Sequence, residues 1–219
     1  MSNSLKAKMK YWWTALYCPL YMLCFMLIEK RNQQVTIVSI GIDHKIPFLE
    51  IFIVPYLIWF PYIVGMFLIF FFKDKEEFIR MIKCLYMGMT LFIIISYLFP
   101  NGLDIRPAYF ERDNIFVRLV QMIYCSDTST NVVPSIHAYN SIVVMIAALK
   151  SEKVLTKNWQ KQTCCVISVL IVLSTVFIKQ HSVLDVFAAM ALAWAGYQLF
   201  YKKPETVSER IQFRMKGST

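Results

Sequence analysis

An all-α membrane fold, a single bundle of about six helices each near the ~20 apolar residues needed to span a bilayer, is predicted by three features of this sequence. The 219 residues are 58% hydrophobic and only 17% charged. Soluble domains run about 45–50% apolar even with glycine counted, and about 25% charged. The apolar residues fall in separate long runs, and the basic residues cluster in alternate gaps between those runs. Lipid in place of water as solvent accounts for all three.

The runs define the elements in order. The first, Tyr11 to Ile28, follows Lys6, Lys8 and Lys10. A signal peptide begins the same way, but no small-residue cleavage site follows, so this run reads as a retained anchor. The second extends from about Phe48 to Phe72, with Pro55 and Pro61 tolerated as kinks in a membrane helix. The third covers about Cys84 to Phe99. The fourth, Pro134 to Leu149, starts on a proline suited to a first helical turn. The fifth and sixth cover about Thr163 to Ile178 and Ser182 to Tyr201. No repeat, low-complexity tract or Ser/Gly linker divides the chain, so residues 1–219 read as one domain.

A net charge of +9 raises nucleic acid as a partner, but the basic residues form no patch. They follow the rule that cytoplasmic loops collect lysine and arginine. With the N-terminus inside, the outer segments hold only seven of the 23 basic residues: Lys30, Arg31, Lys45, Arg106, Arg112, Arg118 and Lys179. Both termini are therefore expected on the cytoplasmic side, with inner loops around Lys73–Arg80 and Lys150–Lys161. Cys18, Cys24, Cys84, Cys164 and Cys165 lie in or beside apolar runs without a Cys-x-x-Cys pair or metal-ligand spacing, and read as packing residues.

The expected outer side collects His44, His137 and His181, a long loop from Pro100 to Val133, and Asp185. Ionisable groups at membrane depth are costly and mark functional sites. Three clusters stand out: Arg106-Pro107, Pro134-Ser135-Ile136-His137, and Ser174 with His181 and Asp185. Residues four apart on a helix face the same way, so Asp185 can take a proton from one ring nitrogen of His181 and leave the other as nucleophile or base. Ser135 to His137 would stand at a helix N-terminus, where free N–H groups attract phosphate. Arg106 offers a two-pronged fork for phosphate oxygens. Two histidines, an orienting carboxylate and an anion cradle suffice for phosphoryl transfer without a cofactor or metal, one histidine attacking and the other protonating the leaving oxygen.

These clusters resemble the motifs of the type 2 phosphatidic acid phosphatase superfamily, which read Lys-(x6)-Arg-Pro, Pro-Ser-Gly-His and Ser-Arg-(x5)-His-(x3)-Asp. Here they are Phe99-(x6)-Arg106-Pro107, Pro134-Ser135-Ile136-His137 and Ser174-Thr175-(x5)-His181-(x3)-Asp185, within about residues 99–190. The resemblance implies that His181 becomes a phosphohistidine, that Asp185 orients it and that His137 is the general acid. It also implies that Arg106, Ser135 and Ser174 hold phosphate. Phe99, Ile136 and Thr175 replace the family's lysine, glycine and arginine. Two phosphate cations are thus missing; Lys179 is the expected substitute, with Arg112 or Arg118 as further sources of charge.

The implied substrate is a membrane lipid phosphate or diphosphate, met at the outer face of what the short loops suggest is a compact bacterial cytoplasmic-membrane protein. Sphingomyelin and inositol phosphorylceramide synthases keep the two histidines and the aspartate while relaxing the cationic positions. The segment Asp43-His44-Lys45-Ile46-Pro47-Phe48, with Pro55 to Trp59 after it, resembles one those synthases carry. Transfer to a lipid alcohol is therefore an alternative to hydrolysis, and a non-catalytic lipid binder with a decayed site is a third reading. His44, Tyr11-Trp12-Trp13 and Trp59-Phe60-Pro61-Tyr62 read as interfacial residues. Lys202, Lys203, Arg210, Arg214 and Lys216 read as a solvated tail near anionic headgroups.

Overall fold

The computed structural model describes residues 12–31 and 33–202. Tyr11, the N-terminal lysines and the tail from Lys203 onward lie outside the described residues. Eight α-helices form the fold among the described residues: α1 (Tyr17–Glu29), α2 (Gly41–Lys45), α3 (Ile53–Lys73), α4 (Lys75–Leu98), α5 (Ile115–Ser126), α6 (Ile136–Lys150), α7 (Asn158–Phe177) and α8 (Val183–Phe200). Short 3-10 turns, Trp12–Leu16 and Glu50–Phe52, lead into α1 and α3. Thr36–Ile37 and Asn101–Gly102 pair as a two-residue parallel ladder between the loops.

Among the described residues, four helices are long and apolar enough to cross a membrane: α3 with its leading turn, α4, α7 and α8. This is the composition of an integral membrane protein. The runs expected first and fourth are helical but shorter; α6 has 15 residues. Such a helix rises only ~22 Å against a ~30 Å hydrocarbon core.

Two further expectations are corrected. The third run begins at Lys75 rather than near Cys84, so the inner loop expected from Lys73 to Arg80 shrinks to Asp74. The reason is a cap: Asp74 Oδ1 accepts the N–H groups of Glu76 and Glu77, both at 3.0 Å, which starts the helix before its apolar stretch. The long outer loop from Pro100 to Val133 contains α5. Asn114 caps it by accepting Val117 N–H at 3.0 Å, and Val120 is buried with Ile53, Tyr56 and Ile178.

The core centres on α6, which packs against α4, α7 and α8. Tyr139 of α6 is fully buried, and its hydroxyl donates to the carbonyl of Cys84 at 2.5 Å. Two glycines let the helices approach. A Cβ on Gly88 would stand 2.0 Å from the Tyr139 ring, and one on Gly196 would stand 2.5 Å from Cys84 Sγ. Away from this core, Phe60, Phe187, Trp194 and Leu199 are exposed, as residues facing lipid are. Cys84 and Cys164 are buried, whereas Cys18 and Cys125 are exposed and none of the six is in a disulfide.

At one end of the bundle Glu77 organises the α6–α7 loop. Its carboxylate accepts Ser151 Oγ at 2.6 Å and the N–H groups of Glu152, Lys153 and Val154 at 2.8, 2.9 and 3.3 Å. Four donors satisfy a buried charge that would otherwise be costly. At the opposite end, the starts of α6 and α8 meet.

Candidate active site

The starts of α6 and α8 are built by side chains that complete helix ends. Asn101 Oδ1 accepts Val132 and Val133 N–H at 2.8 and 2.9 Å, which fixes the segment entering α6. Ser135 then caps α6, its Oγ accepting Ala138 N–H at 3.2 Å, while its own N–H donates to the carbonyl of Asp185 at 3.2 Å. That bond joins the two helix starts. His137 follows in the first turn, its ring 4.8 Å from Tyr56 and 4.3 Å from Trp59 between centroids. Trp59, read from the sequence as an interfacial residue, packs on a site histidine.

His181 lies just before α8, in the turn after α7. The carbonyl of Thr175 accepts the N–H groups of both Gln180 and His181, at 2.9 and 3.0 Å. Ser182 caps α8, accepting Leu184 N–H at 3.0 Å. Asp185 Oδ2 reaches back to Ser182 N–H at 2.9 Å and to His181 Nδ1 at 3.2 Å. The pair therefore does not share a helix face as the four-residue spacing predicts. It forms because a carboxylate in the first turn folds back over the cap, the geometry of a capping box. With Nδ1 donating to Asp185, Nε2 of His181 keeps its lone pair. It stands 3.4 Å from Nδ1 of His137.

The sequence-predicted phosphate ligands fare differently. Ser135 is at the site, but its hydroxyl serves the cap. Ser174 is fully buried and turned back into α7, donating to Ile171 O at 2.6 Å; a hydroxyl in an apolar helix end finds the nearest carbonyl. Lys179 takes a left-handed backbone (φ 56°) that turns its side chain away from the histidines. Its Nζ donates to the carbonyls of Asp43 and Ile46 at 2.5 and 2.6 Å. Burial pushes the pKa of this ammonium down, and Asp43 opposes that shift. Arg112 pairs with Glu50 at 3.1 Å and Arg118 with Asp113 at 3.0 Å, so neither supplies the missing charge.

Arg106 is near the site, and both terminal nitrogens of its fork are taken, while its buried Nε has no partner among the described residues. Nη1 donates to the carbonyls of Tyr124 and Asp127 at 3.4 and 3.0 Å, and Nη2 donates to Thr128 O at 3.1 Å and Gln180 Oε1 at 2.7 Å. Its guanidinium also lies 4.4 Å over the Tyr124 ring. Arg106 thus ties the end of α5 to the residue before His181.

A cavity of about 200 Å³ opens onto both histidines. Trp59, Phe25 and Phe92 give it apolar walls, Asp127 and Asn131 give it polar ones, and among the described residues no lysine or arginine lines it. Burial raises the carboxyl pKa of Asp127, partly opposed by His181 and Arg106. The N–H groups of Ile136 and His137 have no acceptor among the described residues, so the start of α6 keeps two donors at the cavity. In α8 the equivalent donors are used: Ser182 N–H by Asp185, Val183 N–H by Asp43 at 2.9 Å, and Leu184 N–H by Ser182. N–H groups without acceptors among the described residues therefore stand at one helix start, not two.

Asp127, Gln180, Tyr56, Trp59 and Asp43 escaped the sequence reading of the site. Gln180, adjacent to His181, carried a positional signal; the others come from distant elements. Among the described residues, no group of three His, Cys, Asp or Glu side chains is placed to hold a metal ion. No protein-family model, curated protein or solved structure matches this chain.

Proposed function

We propose that the protein is an integral membrane enzyme that removes phosphate from a lipid phosphate or diphosphate through a phosphohistidine on His181. The observation that carries this reading is the continuous line from Asp185 Oδ2 through the His181 ring to His137, with gaps of 3.2 and 3.4 Å. A carboxylate, an oriented imidazole and a second imidazole beside its free nitrogen form the arrangement of a base-assisted nucleophile. The type 2 phosphatidic acid phosphatases, which the sequence motifs resemble, use these residue types in the same order.

In the proposed route the lipid phosphate enters the cavity and parts the two rings, its oxygens meeting the free N–H groups of Ile136 and His137. The Nε2 lone pair of His181 attacks phosphorus. The bond to the lipid oxygen breaks, and protonated His137 gives that oxygen its proton. Asp185 stabilises the positive charge that develops on His181. Neutral His137 then takes a proton from water as the water attacks the phosphohistidine, which releases phosphate and restores both rings. The basic-residue bias favours both termini on the cytoplasmic side and the site at the outer face.

One observation favours transfer as a second reading. A phosphate monoester carries up to two charges, and among the described residues lining this cavity it would meet Asp127 and no lysine or arginine. A phosphodiester carries one charge and is less penalised there. Apolar walls also favour a lipid alcohol over water as the acceptor.

The deciding experiment measures phosphate release by detergent-purified protein, in chelator, from a panel of lipid phosphates, with His181→Ala as control. Release that disappears in the variant supports the hydrolase. Transfer from a phospholipid donor to a lipid alcohol, without phosphate release, supports the second reading. Neither activity, with no acid-labile phosphate on His181, sinks the proposal.

A further inference from the structure

His181 is gripped from both sides by one residue that the proposed reaction does not use. Asp43, in the short helix α2, is buried at 1% exposure. Its Oδ2 accepts Ile40 N–H at 2.8 Å and the Ser182 hydroxyl at 2.6 Å, and its Oδ1 accepts Val183 N–H at 2.9 Å. Its carbonyl receives Lys179 Nζ at 2.5 Å. The contacts fall two residues before His181 and one and two residues after it.

The first turn of α8 thus presents three donors near two carboxylates: the Ser182 hydroxyl and the N–H groups of Ser182 and Val183. Asp43 takes the hydroxyl and Val183 N–H. Asp185 takes Ser182 N–H and His181 Nδ1 on the one oxygen Oδ2, and its Oδ1 is buried with no partner among the described residues. If Asp43 did not accept them, both donors would be buried beside Asp185. A short side chain at a helix start readily moves to the nearest acceptor, and unpaired buried donors are costly enough to drive that move. The unpartnered Oδ1 of Asp185 would then take them, turning the carboxylate from the imidazole towards the helix cap.

We propose that Asp43 is a positioning residue that, by taking the donors of Ser182 and Val183, reserves Asp185 for His181 and so holds His181 as the Nδ1–H tautomer with Nε2 free. The left-handed Lys179 fits this role, since backbone strain is tolerated where surrounding bonds over-determine it. The consequence for phosphoryl transfer rests on the proposed function; the effect on the ring tautomer does not.

The chain has three histidines, so ¹⁵N-histidine labelling of the full-length protein in detergent gives three ring systems, assigned by single replacements. In the wild type the His181 nitrogens report Nδ1–H. Asp43→Asn, which offers one acceptor oxygen in place of two, shifts them towards mixed tautomers. Ser182→Ala alone leaves them unshifted, because it removes a competitor for Asp185. The double variant moves back towards the wild type. In parallel, phosphohistidine formation falls about 10–100-fold in Asp43→Asn, as it does for other partners that orient histidines, while KM stays within about twofold. The inference is overturned if Asp43→Asn leaves the His181 signals in place, or if Ser182→Ala alone moves them as far. Should Asp43→Asn not fold, Asp43→Glu takes its place: its carboxylate is displaced by a methylene from the Ser182 and Val183 donors, and the same two outcomes for the His181 signals decide. A wild type with no phosphoryl activity sinks the proposed function, yet the ring spectra still decide the role of Asp43.

Discussion

His137 Nδ1 and His181 Nε2 lie 3.4 Å apart, so in this structure the proposed acid and nucleophile occupy each other's working positions. In an in-line displacement phosphorus and the leaving oxygen must stand between them. The rings therefore separate when substrate enters, and each prediction about rate depends on how that contact is released and restored.

His137→Ala lowers the rate with a lipid alkoxide leaving group by roughly 10²–10⁴-fold, the usual contribution of a general acid. An activated ester such as a nitrophenyl phosphate, whose leaving group needs no proton, regains most of the formation rate of phosphohistidine. Burst kinetics on both substrates check this. Equal loss on both would remove His137 from the acid role.

Arg106→Lys acts on the loop rather than on phosphate. A lysine cannot span the carbonyls of Tyr124, Asp127 and Thr128 together with Gln180, all of which Arg106 reaches. Losing hydrogen bonds to a charged group costs roughly 1.5–3 kcal/mol, and a lower thermal midpoint in detergent reports it. KM for the lipid phosphate changes less than kcat. A large rise in KM at an unchanged midpoint would restore Arg106 to phosphate binding.

Asp127 sets a pH dependence of stability. Burial raises its carboxyl pKa in the folded protein, above the ~3.9 of an unfolded chain. The group favours the fold fully only below its unfolded pKa, and that contribution is lost as pH rises through the folded pKa. Asp127→Asn is therefore more stable than the wild type at neutral pH, and the difference closes in acid near the unfolded value. Thermal midpoints across pH test this, and a constant difference would contradict it.

Gly88→Ala places a methyl 2.0 Å from the Tyr139 ring. The ring is fully buried and its hydroxyl is held by the Cys84 carbonyl, so it cannot step aside. Overpacking of this kind costs typically ~1–3 kcal/mol. Gly65→Ala, where the added methyl meets nothing within 4 Å, is the matched control. Thermal midpoints in detergent compare the two.

The helix order was legible because lipid imposes long apolar runs on a sequence, and α3, α4, α7 and α8 show it. Boundaries were legible only where an apolar edge coincides with a cap. Asp74 starts α4 within a charged stretch, and there the apolar edge at Cys84 misled. Helix α5 was hidden by its length, since 12 residues cannot span a bilayer, although Phe116, Val120, Ile123 and Tyr124 of its packed face fall at helical spacing. At the site, the residue types and spacing pointed to His137, His181 and Asp185, and the structure brings these three together. The fates of Ser174, Lys179 and Arg106 were not legible. A donor is claimed by whichever acceptor the fold places beside it, and the carbonyls of Ile171, Asp43, Ile46 and Thr128 are ordinary backbone with no mark in the sequence. Asp43 was noticed only as part of a segment, because its partner Ser182 lies 139 positions away.

Glu77 and the four donors it gathers pin the bundle at the end opposite the histidines, as tweezers are pinned at the handle. The jaws are pinned at the handle, where α4 grips the α6–α7 loop. Only the tips carry His137 and His181. From Lys150 to His137 helix α6 is a lever ~20 Å long, on which a tilt of about 5° at the pivot swings the tip by ~2 Å. A tilt of α6 about that pivot would be felt at the tip, across the Ser135–Asp185 bond that joins the two helix starts.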